Sequence, residues 1–239
     1  MLPKLLRIAA ATLLNGAFMV SAFAPAATRA QAPMADTWEA GKHYFLIDPP
    51  QPTTTGDKIE VTEVFSYGCP ACNFSLGPVD KLAKSLPPNA VMNYVPASFN
   101  PAEDWPLFQR TFFTAQALGL SIDKTHHAMF DAVWKTHDLA TMNADGRTLK
   151  HPQPSLEDVA KFFVGLGIKP EDFTATANSF TINTKMKQAD AYIKARGVEQ
   201  TPTIIVNGKY RLTTTSAGGD WNKAEQLTLF LVRKESGGK

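Results

Sequence analysis

The sequence predicts an α/β fold in which an all-helical segment is inserted between the strands of one sheet. A β-branched run before the two cysteines is followed by a helical pattern and a further strand, which is typical of a parallel βαβ unit. Helical periodicity without strand signals then fills residues 104–189, and strand character returns at residue 203. The 239 residues are 44% hydrophobic and 19% charged, so a core can form without disulfide staples.

Residues 1–30 have the layout of a secretory signal peptide. Lys4 and Arg7 form a basic start, residues 8–24 are largely apolar, and small residues follow, so cleavage is expected between Ala26 and Ala30. A retained membrane anchor is the alternative, although the apolar run is short for a bilayer span.

Removal of this segment would lower the formal net charge from +2 to −1, because it carries three basic residues and no acidic one. A nearly neutral protein gives no electrostatic support for a nucleic-acid partner. An exported chain also meets an oxidising compartment, in which disulfide chemistry persists.

The first part of the α/β domain is predicted from four successive patterns. Residues 44–47 predict a strand that ends at a proline-rich turn, and the alternating run 58–65 predicts a second strand. Helical spacing predicts a helix over 73–85, which two prolines stop. Residues 91–96 predict the next strand, parallel to the second.

The central block is predicted to be helical apart from a long polar loop over residues 139–154. Its helices are expected at 105–118, at 122–134, from a Ser155 capping box to Leu166, in a short segment opened by Pro170, and at 182–193 before Arg196-Gly197.

Strand character returns in Thr203–Val206, followed by an Asn207-Gly208 turn and an answering strand at 209–213. A final helix is expected from Trp221 to about Lys234. The predicted division of the chain is a signal peptide at 1–30, the α/β domain at 41–103 and 190–239, and the helical insertion at 104–189.

Cys69 and Cys72 are the only cysteines, and they lie where the predicted strand turns into a helix. An exposed Cys69 in the first helical turn would face unpaired amide groups and the positive end of the helix dipole, which favour the thiolate. Cys72 would lie beneath it, and Pro70 at the helix start would cost no hydrogen bond. A disulfide between the two sulfurs could then exchange with substrate thiols.

Two other interpretations of this pair are a structural disulfide and half of a zinc site. A four-residue loop constrains the unfolded chain little, so a structural bond would stabilise little. Zinc needs four ligands, and there is no second cysteine pair. His126 and His127 are adjacent and do not share a helix face; His126 is expected to be a satisfied core or groove residue. No metal is therefore predicted.

A proline directly before a central strand, as in Thr201-Pro202-Thr203, is unusual. Either the Thr201–Pro202 bond is cis in a tight functional turn, or a trans proline opens the strand. The residues alone leave both possibilities open.

Three segments resemble the thioredoxin-like DsbA family of bacterial periplasmic thiol:disulfide interchange proteins: Phe65-Ser66-Tyr67-Gly68-Cys69-Pro70-Ala71-Cys72, Thr201-Pro202-Thr203 and Val206-Asn207-Gly208-Lys209-Tyr210. The resemblance covers nearly all of the chain after the signal segment. It implies a thioredoxin-like fold with a helical insertion, no cofactor, and disulfide donation to folding exported proteins. It also implies reoxidation by a DsbB-like, quinone-linked membrane protein.

The resemblance implies a role for individual residues as well. Cys69 would be the reactive cysteine and Cys72 the buried resolving one. Pro202 would be a cis-proline opposite the disulfide, and Thr201 would bind substrate backbone. Glu63 would be a buried acid that shuttles the proton of Cys72; the alternative is a half-buried strand acid paired with a lysine.

Pro70 and Ala71, between the cysteines, would tune the redox potential, and Ala71 departs from the family pattern. The best-known members carry a histidine there, and alanine supplies neither charge nor hydrogen bond. The sequence therefore predicts a weaker oxidant than the histidine-bearing members. A reductase or isomerase remains an alternative, as does a non-catalytic chaperone-like protein with an apolar groove.

Overall fold

The protein, described by a computed structural model over residues 38–237, contains one five-stranded mixed sheet and seven α-helices in that range. The strands are β1 Phe45–Leu46, β2 Ile59–Phe65, β3 Ala90–Pro96, β4 Thr203–Val206 and β5 Tyr210–Leu212. The helices are α1 Pro70–Ser85, α2 Trp105–Ala117, α3 Ile122–Trp134, α4 Leu156–Val164, α5 Pro170–Ala177, α6 Phe180–Ala195 and α7 Trp221–Glu235. The predicted signal peptide lies outside the described residues.

Strand β2 is the centre of the sheet, whose order is β1-β5-β4-β2-β3. It runs parallel to β3, as the βαβ prediction required, and antiparallel to β4. Glu63 lies opposite Tyr94 of β3 on one side and Ile204 of β4 on the other. Every residue of β2 is buried, which suits its Ile, Val and Phe residues, and the strand also buries Glu60, Thr62 and Glu63.

The β4–β5 hairpin turns at Asn207 and Gly208, whose φ angles are +52° and +63°. Two consecutive positive φ values are what a type I′ turn needs, and they confirm the predicted Asn-Gly turn. The amide of Gln51 donates to the carbonyl of Gly208 at 2.9 Å, so the proline-rich loop after β1 rests on this turn.

Helices cover both faces of the sheet because side chains alternate along β2. Val61 packs with α1 and α7, and Phe65 with the aromatic side chains of α2 and α3. Val64, on the opposite face, packs against Ala189 and Ile193 of α6. The cysteine-bearing helix α1 thus lies on the same face of the sheet as α2 and α3.

The helices between β3 and β4 agree with the predicted helical block. The Ser155 capping box is present, with the Asp158 carboxylate and the Ser155 hydroxyl each accepting from the other's backbone amide. The predicted boundary between the insertion and the α/β domain, at residue 189, falls inside helix α6, which packs on the sheet. The division of the chain into domains stays a prediction.

Helix α1 begins at Pro70, three residues before the predicted start, because the Cys69 side chain caps it. Within residues 38–237, no helix combines the length and the hydrophobicity needed to cross a membrane.

We expect Gly208→Ala to destabilise the protein strongly. A methyl group there would lie against the backbone carbonyl of Gln51, and the positive φ disfavours any residue with a Cβ. The left-handed conformation alone costs about 1–2 kcal/mol, and a total of about 2 kcal/mol or more lowers Tm by roughly 4–8 °C in a domain of this size.

Thermal unfolding of the purified variant checks this expectation. Gly77→Ala is the matched control, because a Cβ at Gly77 meets no atom within 4 Å. Equal melting temperatures for both variants would contradict the packing described at Gly208.

Candidate active site

The turn from β2 into α1 holds the sulfur of Cys69 against the first amides of the helix. Cys69 is the N-cap residue, and its Sγ accepts a hydrogen bond from the Cys72 amide at 3.2 Å. Pro70 occupies the first helical position, where no amide donor is needed. The turn itself is held by Ser66, whose carbonyl accepts from the Cys69 amide at 3.1 Å and whose Oγ accepts from the Gly68 amide at 3.2 Å.

Cys69 is buried, and the predicted exposed position is therefore wrong. Only 3% of its surface is accessible, against 1% for Cys72. The Cys69 thiol faces the carbonyl of Thr201, with Sγ and oxygen 3.6 Å apart. The covering segment is 132 residues away in the chain, so the helix start alone gave no sign of it.

The two thiols have opposite electrostatic environments. A hydrogen bond from the Cys72 thiol lowers the pKa of Cys69 from 9.0 to about 7, with help from the amides of Ala71 and Cys72 and against the opposing effect of burial. Burial, followed by the interaction with Cys69, raises the pKa of Cys72 well above 9.0. Cys69 is therefore the thiol that ionises near neutral pH.

Glu63 is a fully buried acid on β2, close to the cysteines. Its carboxylate oxygen Oε1 accepts a hydrogen bond from the Ser75 hydroxyl at 3.5 Å, and its residue exposure is 2%. Burial first, and then the negative charge of Cys69, raises the pKa of Glu63 from 4.5 to about 8. No lysine pairs with Glu63 among the described residues, so the lysine-paired, half-buried alternative is wrong.

The two residues between the cysteines are exposed. Pro70 and Ala71 both face solvent, and the Ala71 side chain brings no charge toward the Cys69 sulfur. The contribution of Ala71 comes from its backbone amide, which lowers the pKa of Cys69.

Thr201 and Pro202 lie immediately before β4, and the peptide bond between them is cis. Pro202 is buried, and Thr201 is half-buried with its carbonyl directed at Cys69. The fold thus brings Cys69, Cys72, Glu63 and the Thr201 carbonyl to one place.

Two tryptophans that the sequence did not single out support the cysteine turn. The Trp134 indole N–H donates to the Tyr67 carbonyl at 2.7 Å. The Trp105 indole packs so closely on Gly68 that a Cβ there would lie 2.6 Å from its nitrogen. Ser75, one turn after Cys72, was missed as well; a hydroxyl on the buried face of a helix was its only sequence signal.

His126 is a core residue, as expected, but it is not fully satisfied. Its Nδ1 lies 3.4 Å from the Tyr67 hydroxyl, and its Nε2 is buried without a hydrogen-bond partner in the described part of the chain. Burial lowers the pKa of His126 to about 3, so the ring is neutral at physiological pH.

This arrangement is suited to thiol–disulfide exchange. One sulfur has a stable thiolate, a second sulfur lies one helical turn away, and a protonated acid stands beside them. Both cysteines are free thiols in this structure, which therefore describes the reduced form.

Comparison with known proteins agrees with this chemistry, although no protein-family model matches the chain. The thiol:disulfide interchange protein DsbA of Pseudomonas aeruginosa is 34% identical over 204 residues, covering 85% of this chain and 89% of that protein. DsbA of Azotobacter vinelandii is 33% identical over 195 residues, covering 82% and 83%. The crystal structure of Pseudomonas aeruginosa DsbA aligns with a TM-score of 0.71 at 33% identity, covering 85% of this chain and 97% of that one.

The solved DsbA structures share the sheet and the helical block described above, so the fold is thioredoxin-like with a helical insertion. Identity at this level over most of both chains, together with a paired dithiol at the head of α1, establishes the family. The chain belongs to the DsbA family of thiol:disulfide interchange proteins and is a protein-disulfide oxidoreductase.

Proposed function

We propose that this oxidoreductase is exported to the periplasm and donates a Cys69–Cys72 disulfide to folding proteins that contain cysteines. The observation that carries the proposal is that the pKa values of the two thiols are shifted in opposite directions. The pKa of Cys69 is lowered to about 7, whereas burial raises that of Cys72. A stable Cys69 thiolate favours the reduced protein, and hence transfer of the disulfide to the substrate.

The proposed reaction has two exchange steps. A substrate thiolate attacks Cys69 Sγ, the Cys69–Cys72 bond breaks, and Cys72 Sγ takes the electron pair and then the proton of Glu63. A second substrate thiolate attacks the substrate sulfur of this mixed disulfide, and Cys69 leaves as a thiolate. The substrate gains one disulfide, and the protein becomes a dithiol.

Glu63 fits the role of proton donor because its pKa of about 8 keeps it protonated at neutral pH. The negative charge of ionised Glu63 raises the pKa of Cys72, so a proton on one of the two groups makes ionisation of the other less costly. In the dithiol form Glu63 is protonated again at neutral pH, so during reoxidation it would release that proton to solvent and take the proton of Cys72 as Cys72 attacks.

Thr201 and Pro202 are the proposed substrate-binding residues. The Thr201 carbonyl lies 3.6 Å from Cys69 Sγ, just before β4 begins. An extended substrate segment can pair with the backbone there in the manner of an added strand, which would bring its cysteine to Cys69.

The proposed partners are unfolded or folding exported proteins and a DsbB-like membrane protein that returns the dithiol to the disulfide by passing two electrons to a quinone. The relatives' names, which describe thiol:disulfide interchange, support the first partner class. The basic and apolar N-terminal sequence supports export.

A reducing role is the second candidate, and Ala71 is the residue that favours it. Without a cation beside Cys69, the thiolate is stabilised by the Cys72 thiol, by Thr201 and by the helix amides, so the disulfide is a weaker oxidant than one with an added positive charge.

Disulfide donation can be separated from reduction by two assays. Oxidised protein should rapidly transfer its disulfide to a reduced, unfolded cysteine protein, and Cys69→Ser should abolish the transfer. The dithiol form, maintained by an added dithiol reductant, should reduce insulin only slowly. Acid quenching, alkylation and counting of the free thiols on the substrate alone follow the transfer, because exchange leaves the total number of thiols unchanged. Efficient insulin reduction without donation would favour the reductase, and full function in Cys69→Ser would favour the chaperone.

We expect Ala71→His to strengthen the oxidant. An imidazolium beside Cys69 stabilises its thiolate, so the pKa of Cys69 falls and the dithiol form gains stability. Each pKa unit corresponds to about 1.4 kcal/mol, or roughly 30 mV in the reduction potential of a two-electron couple.

Thiolate absorbance at varied pH and equilibration with glutathione measure the two quantities. Ala71→Asn, which adds a polar side chain without charge, is the control and should shift the potential much less. An unchanged potential in Ala71→His would refute this account of Ala71.

Glu63→Gln should flatten the pH dependence of the dithiol form's stability. The pKa of Glu63 is raised from 4.5 to about 8 in the folded protein. The stability is therefore highest below the unfolded-state pKa and falls as the pH rises from there to the folded-state pKa. Between about pH 5 and 8, the unfolding free energy of the parent protein decreases by about 1.4 kcal/mol per pH unit, and Glu63→Gln should lack this slope.

Urea unfolding of the dithiol form at several pH values measures that slope. Glu60→Gln is the control, because Glu60 is a buried acid of the same strand that bonds Thr54 and Tyr192, away from the cysteines. An unaltered slope in Glu63→Gln would show that Glu63 ionises normally in the folded protein.

A further inference from the structure

A cleft of about 440 Å³ opens between α1, β3 and α3, and one of its lining residues is Tyr94, the strand neighbour of the buried acid Glu63. Its volume admits several water molecules, since each takes about 30 Å³ in the liquid. The polar lining comes from all three elements: Asp80 and Lys84 of α1, Tyr94 of β3, and Asp123, His126 and His127 of α3.

The inner wall of the cleft reaches the neighbour of Glu63. Tyr94 lines the cleft and is the residue directly opposite Glu63 in the parallel β2–β3 pair. Adjacent strands lie about 4.8 Å apart, so the two side chains emerge side by side on one face of the sheet. Burial and the charge of Glu63 both raise the pKa of Tyr94, which reflects this proximity.

The outer end of the cleft carries an acid–imidazole pair. His127 Nε2 lies 2.7 Å from Asp80 Oδ2, and this contact links α3 to α1. The His127 side chain is 53% exposed and that of Asp80 32%, so the pair meets solvent. Asp80 also interacts with Glu63, whose pKa it raises. His126, the adjacent residue, is buried, and its Nε2 has no partner in the described range.

The proposed disulfide exchange makes a demand that this cleft can meet. Glu63 must lose a proton to Cys72 and regain one in every cycle, yet it has almost no contact with solvent. We propose that the cleft is the route by which Glu63 exchanges its proton with solvent, and that the Asp80–His127 pair is the outer relay. This inference rests on the proposed function of Glu63.

The proton balance of the relay is simple. After Glu63 has protonated the Cys72 thiolate, a protonated His127 gives up its proton, and the Glu63 carboxylate receives one through water in the cleft beside Tyr94. The neutral His127 then regains a proton from solvent, while the contact with the Asp80 carboxylate orients its ring. No electrons move in these steps.

The double variant Asp80→Asn/His127→Gln tests the relay while preserving the size of both side chains. We expect the multiple-turnover oxidation of a reduced cysteine peptide at pH 7, with excess oxidised glutathione present to regenerate the disulfide, to slow by about tenfold, a modest share of what general acid catalysis contributes. Added imidazole should restore most of the rate, because a diffusible acid can enter the cleft. Asp123→Asn, which lines the same cleft outside the pair, should react like the parent protein.

The outcomes separate the relay from the role of Glu63. An unchanged rate in the double variant, or a loss that imidazole does not restore, overturns the relay. Glu63→Gln is measured in parallel: if it is slow while the double variant is normal, the relay fails and the proposed function stands. If Glu63→Gln itself reacts normally, the proposed function of Glu63 fails. The triple variant combines Glu63→Gln with Asp80→Asn and His127→Gln. If it is no slower than Glu63→Gln and imidazole does not restore its rate, the result supports a relay that acts through Glu63.

Discussion

The chemistry of the molecule depends on the hydrogen bonds that hold the Cys69 sulfur at the start of α1. The Cys72 thiol and the first helix amides lower the pKa of Cys69 to about 7. These donors are fixed by the helix itself, so they need no reorganisation when the thiolate forms. Because β2 ends immediately before the turn, the buried central strand sets where this sulfur lies. The Thr201 segment, which precedes the neighbouring strand β4, then covers it.

Burial favours the neutral form of the titratable groups around this sulfur. The same apolar surroundings that raise the pKa of Cys72 also raise that of Glu63, so a strand acid keeps its proton near neutral pH. The neutral ring of His126 adds no positive charge that would ionise the acid. An acid that costs stability above its ordinary pKa is thereby kept protonated close to a thiol of raised pKa, as the proposed role of proton donor requires.

The sequence was sufficient for the elements whose signals are local. The Asn207-Gly208 turn, the Ser155 capping box and the amphipathic α3 were all predicted, because turn conformation, capping and helical periodicity depend on residues that are close in sequence. The burial of Cys69 was not predicted, since it comes from Thr201, far away in the chain. The pairing of Glu63 with Tyr94 depends on strand register, which no local pattern specifies.

The inserted helices take part in the site and do more than enlarge the protein. Trp105 of α2 packs on Gly68, and Trp134 of α3 bonds the Tyr67 carbonyl, so both helices fix the turn that carries Cys69. Helix α3 also supplies His127, which meets Asp80 of α1 at the mouth of the cleft. A change in the packing of α3 would therefore alter both the position of the reactive sulfur and the solvent access of Glu63. Since α3 contributes to both, the insertion would couple the sulfur chemistry to the proposed proton route.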